Sequence, residues 1–93
     1  MIIGFRKIEI HIPNAHSLKE KRSVLRPIKD KVKNKFNVSY SEIDYHDKWQ
    51  RSVLGFVTIS NSRVDVDGRL DSIQRLIEEK PEIMITNIIR EYL

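Results

Sequence analysis

The chain has 93 residues, 32% of them charged and 40% apolar, with three glycines, three prolines and no cysteine. That length holds one core, so a single domain over residues 1–93 is expected, too small for an elaborate enclosed active site. Lack of cysteine excludes disulfides, thiolate metal sites and a cysteine nucleophile. No run approaches the roughly 18 apolar residues of a membrane span, and the N-terminus MIIGFRKIEI lacks the charge-then-apolar order of a secretory signal, so a cytoplasmic protein without membrane attachment is expected.

Ile8, Ile10 and Ile12 alternate with Lys7, Glu9 and His11, the period of a half-buried strand, predicted from about Ile2 to Ile12. Ser17 with Glu20 three residues on reads as a capping box opening a helix, in which Leu18, Leu25, Ile28, Val32 and Phe36 recur at helical spacing. Pro27 removes an interior N–H, so the helix is expected to kink or to fall into two parts. Val38 to Asp44 predicts a second strand whose imperfect alternation suggests an edge or a bulge, and His46-Asp47-Lys48 a turn. Trp49 to Ser60 follows as a third strand pairing as a hairpin, with Gly55 marking a close approach or a bulge. Val66, Leu70, Ile73 and Ile77 predict a second helix over about Val64 to Lys80, stopped by Pro81, and Ile83 to Ile89 a last strand. The order β-α-β-β-α-β is that of an α+β, ferredoxin-like fold: two helices on one face of a four-stranded antiparallel sheet.

Charge is unevenly spread. Ser17 to Phe36 hold eight basic side chains against two acidic ones, a local charge of +6, while the remainder has nine against eleven, or −2. A basic helix on a near-neutral body attracts polyanions, and Lys19, Lys21, Arg22, Arg26, Lys29 and Lys33 are the candidate contacts to nucleic-acid phosphates. The plainer reading is that lysines near the helix C-terminus serve its dipole and solubility.

The sheet face away from the helices is the second candidate surface. With Ile8, Ile10 and Ile12 inward, Phe5, Lys7, Glu9 and His11 face out. If Val53, Val57 and Ile59 also face the helices, then Leu54, Phe56 and Thr58 join them on the open side. Phe5, His11, Leu54 and Phe56 would then line a contact surface, most simply for a second copy of the chain. Phe5 and Phe56 as base-stacking platforms are the rival reading, although Gly55-Phe56-Val57 matches only a fragment of the RNA-recognition pattern.

No catalytic, metal or cofactor site is assigned. His46 between Asp44 and Asp47 lacks a second histidine at ligand spacing and reads as a surface turn. His11 and His16 have no serine and acid near enough in sequence to suggest a triad. Gly4, Gly55 and Gly68 are too far apart to cradle a phosphate. Trp49 is expected as a core or interface anchor.

The segments Ser17-Leu-Lys-Glu-Lys-Arg22, Phe36-Asn-Val-Ser39, Glu42-Ile-Asp44 and Trp49-Gln-Arg51, followed by Gly55, resemble the bacterial YlxP-like family, domain of unknown function 503, over nearly the whole chain. The resemblance implies a small ferredoxin-like protein, often encoded beside translation and ribosome-maturation factors, with no established enzymatic activity. This chain departs from the family pattern at Tyr45, His46 and Lys48. The function expected is a non-catalytic RNA- or ribosome-binding module. The alternative is a homodimeric scaffold or small-ligand protein using the open sheet face.

Overall fold

In the computed structural model, which describes residues 1–93, the elements run β1 (Ile2–His11), α1 (Leu18–Lys35), β2 (Ser39–Asp44), β3 (Arg51–Ser60), α2 (Arg63–Glu78) and β4 (Met84–Tyr92). The strands form one antiparallel sheet in the order β2-β3-β1-β4. This is the ferredoxin-like order the sequence predicts.

The local signals act as physics requires. Ser17 caps α1 through its Oγ, which accepts from the Glu20 N–H at 3.0 Å, and Glu20 Oε2 in return accepts from the His16 N–H at 3.0 Å. Ser62 caps α2 in the same way by accepting from the Asp65 N–H. α1 is one element through Pro27, not two. Pro27 and Ser23, whose carbonyl the proline leaves without a helical donor, are both exposed residues, so the missing hydrogen bond falls on the solvent side of the helix.

Leu25, Ile28 and Val32 from α1 and Val66, Leu70, Ile73 and Ile77 from α2 pack on Ile8, Ile10, Ile12, Leu54 and Phe56 in one core. α2 approaches β1 so closely that a Cβ on Gly4 would lie 2.3 Å from Val66 Cγ1, which makes glycine the residue this contact needs. Arg6, also inward, donates through Nη1 to Asp71 at 2.7 Å and Gln74 at 3.0 Å, tying α2 to the sheet by its polar edge.

β3 faces the opposite way from the expectation. Its register pairs Ile8 with Leu54 and Arg6 with Phe56, and directly opposite residues share a face, so Leu54 and Phe56 lie fully buried beneath the helices. Val57 and Ile59 point outward instead, 37% and 50% exposed. Neither Leu54 nor Phe56 can therefore line an open-face interface, and Phe56 cannot stack a base. Two hydroxyls disguise the inward face. Thr58 Oγ1 donates to the Asn37 carbonyl at 2.7 Å, and Ser52 Oγ donates to Glu42, so both are buried and satisfied.

Candidate nucleic-acid interface

At 100° per residue, Lys19, Arg22, Arg26, Lys29 and Lys33 fall within an arc of roughly 80° on one flank of α1, the flank toward β2. All five are exposed. The molecule has three ion pairs, Arg6–Asp71, Lys21–Glu42 and Arg51–Glu9, and none engages these five. Their charges span about 21 Å of helix, at the 1.5 Å rise per residue. Lys31 and Lys35 belong to the other flank, beside α2, where they line a cleft with Arg75 and Glu79.

Lys21, expected as a phosphate contact, is not one. Its side chain is 2% exposed, and its ammonium donates to the Tyr45 carbonyl at 2.7 Å and the Lys48 carbonyl at 2.8 Å, with Glu42 Oε2 at 2.9 Å. Position 21 lies on the same helical stripe as Leu25, Ile28 and Val32, so the side chain must enter the interior. There it closes the β2–β3 turn from beneath. The sequence signal was available: a lysine in register with the apolar stripe of an amphipathic helix.

Between the cationic flank and the edge strand β2 runs a groove of about 470 Å³, with Arg22, Arg26 and Lys29 on one wall and Tyr40, Ser41 and His46 on the other. Asp30 also lines it, and Glu42 lies on its floor with its charge answered by Lys21. His46, in the exposed turn as expected, places Nε2 2.9 Å from the Glu42 carbonyl. No three His, Cys, Asp or Glu side chains converge as a ligand set. Trp49 is not a core anchor. It is 52% exposed in the turn that Lys21 holds, near the start of the cationic flank.

Tyr40 forms the inner wall by stacking on Phe56, with ring centroids 5.0 Å apart. Burial, reinforced by the Glu42 carboxylate, pushes its hydroxyl from 10.0 up to about 12. Folded chain thus holds this proton more tightly than unfolded chain, so the Tyr40 contribution to stability is complete below pH 10 and is lost as pH rises toward 12. Tyr40→Phe is expected to lose about 1 kcal/mol less stability than the native chain between pH 9 and pH 11, measured by urea unfolding. Equal losses in the two proteins would show that the hydroxyl is hydrated.

Of the expected open-face residues, Phe5 and His11 do lie on that side, both half-buried, and Phe5 pairs with Val57 across β1 and β3. The outward face is therefore a surface separate from the α1 flank, with the sheet lying between them.

A two-layer α+β domain with one cationic helix flank is the class this geometry defines. A de novo designed protein with a ferredoxin fold, determined by solution NMR, shares that fold at a TM-score of 0.55, covering 99% of this chain and 85% of that one at 14% identity. The family described as "Protein of unknown function (DUF503)" matches residues 3–90. "Uncharacterized protein YlxP" of Bacillus subtilis (strain 168) is 49% identical over 82 residues, which is 88% of this chain and 89% of that protein. The chain belongs to the DUF503 family, as the motifs around Ser17 to Arg22 and Phe36 to Ser39 suggest. No helix is long and apolar enough to cross a membrane.

Proposed function

We propose that the protein is a cytoplasmic, non-catalytic RNA-binding module, acting on ribosomal RNA or the ribosome, with Lys19, Arg22, Arg26, Lys29 and Lys33 as its phosphate contacts. The observation that carries this reading is five exposed cations on one helix flank without a carboxylate partner. Helix stabilisation does not account for them. Lys33 suits the negative C-terminal end of α1, but Lys19 and Arg22 stand near its positive N-terminal end, where the dipole disfavours cations. Their arrangement fits a polyanion, since the five charges follow one another along about 21 Å of a single ridge, as contacts to successive phosphates would. The genomic company implied by the resemblance points to translation as well.

Binding should be electrostatic and steeply salt-dependent. Five contacts to a single strand predict a log–log salt slope of about −3.5. A titration of ribosomal RNA fragments from 50 to 300 mM salt, followed by fluorescence of Trp49, the only tryptophan, measures it directly. Absence of binding at 50 mM salt, or binding indifferent to salt, would end this reading.

A further inference from the structure

The outward face of the sheet is the largest feature that the proposed RNA contact does not use. Ile3 pairs with Ile59 and Phe5 with Val57 across its two central strands, and Ile43 folds over Gly55, whose added Cβ would meet it at 3.3 Å. Val57 and Ile59 are 37% and 50% exposed, so this apolar cluster is open to solvent in the single chain. Beyond it the face turns polar, with Arg51 and Glu9 3.6 Å apart beside Asp44.

We infer that this face is the interface of a homodimer, in which two sheets stack through Phe5, Val57 and Ile59 about a two-fold axis. Strands of 10, 6, 10 and 9 residues, rising about 3.3 Å per residue and spaced about 4.8 Å apart, give a face of about 550 Å². Doubled, that is about 1,100 Å², just above the roughly 1,000 Å² that a biological interface should clear. The apolar cluster occupies one end of the β1–β3 ladder and the charged residues most of the rest, so a two-fold axis running along the strands sets apolar end on apolar end and charged end on charged end. Charge selects the occupant. The polar part of the face carries Lys7 and Arg51 together with Glu9, Asp44 and Glu91, a mixture with no excess of cations to hold a polyanion but one that allows a copy of itself to set acid against base. A patch packed on its own image closes after two copies, so dimer and not polymer is the expected state. Both helix layers then face outward, and the dimer presents two cationic flanks on opposite sides.

Sedimentation of the full chain between 1 and 200 µM tests the inference. The expected species has twice the 11.0 kDa chain mass, with dissociation in the micromolar range. Val57→Glu/Ile59→Glu should weaken the dimer at least about 100-fold with an unchanged circular dichroism spectrum, because both side chains already face solvent in the monomer. Arg22→Ala/Arg26→Ala should leave the dimer intact. If the double variant fails to fold, Ile59→Ser at the half-exposed position is read in the same way. A native monomer at 200 µM overturns the inference, and so does a dimer indifferent to these substitutions, which would place the contact at a strand edge. Neither result bears on RNA binding, whose salt slope is measured separately.

Discussion

Lys21→Ala is expected to destabilise the domain by about 3–5 kcal/mol, as much as truncating a core residue of α1 such as Ile28. All three ammonium protons have partners: Glu42 Oε2 and the carbonyls of Tyr45 and Lys48. Removing the ammonium orphans the Lys48 carbonyl, leaves the Tyr45 carbonyl with only the Lys48 N–H, and leaves the largely buried Glu42 carboxylate with the Ser52 hydroxyl but no neutralising cation. A chain of this size has roughly 5–14 kcal/mol of stability in total, so the loss is a large share of it. Urea unfolding measures the effect. Lys21→Met separates charge from packing, since it keeps the aliphatic stem, and combining it with Glu42→Gln should cost clearly less than the two singles added together. A loss below about 1 kcal/mol for Lys21→Ala would mean that water replaces the ammonium without penalty.

The turn that Lys21 holds should respond before the rest of the molecule. Tyr45 sits there at φ 61, an uncommon left-handed conformation for a tyrosine, with its ring beneath the Arg51 guanidinium at 4.2 Å. Without the ammonium to gather its carbonyls, that conformation loses its main support. Trp49 lies in the same turn, so the structural role of Lys21 bears indirectly on any contact the tryptophan makes.

What could be read from the sequence follows from how many neighbours decide each feature. β1 was legible because its inward isoleucines alternate with Lys7 and Glu9, and the start of α1 because Ser17 acts on a donor three residues away; Ser62, which caps α2, reads only as loop in the sequence. β3 was not. Val53, Leu54, Phe56, Val57 and Ile59 are apolar at both parities, while the inward Ser52 and Thr58 look like surface residues. Only the pairing of Ile8 with Leu54 settles which side is in, and that pairing is a tertiary fact. The cationic flank was legible apart from one member, since composition registers Lys21 as charge and only its place on the Leu25, Ile28 and Val32 stripe reveals that it turns inward. Trp49 was legible only in part. Its size suggests a core or interface anchor, and its 52% exposure in the turn excludes the core and leaves the interface.

Replacing Arg22, Arg26 and Lys29 together by alanine is expected to weaken RNA binding about 100-fold at 0.1 M salt and to flatten the salt slope from about −3.5 to about −1.4. The arithmetic rests on contact number: three of five phosphates lose their cation, and each released counterion is worth about 0.7 of a decade at that salt. The fold should tolerate the change, because none of the three is buried or paired and alanine favours the helix. Lys31→Ala/Lys35→Ala is the matched comparison, since it removes charge from the same helix but from the flank beside α2. If net charge alone drew RNA to the chain, the two variants would lose affinity in proportion to the charges removed. A large loss for the first and little for the second would assign the binding to one side of α1. Equal loss per charge would instead reduce the flank to a diffuse positive field with no docking geometry.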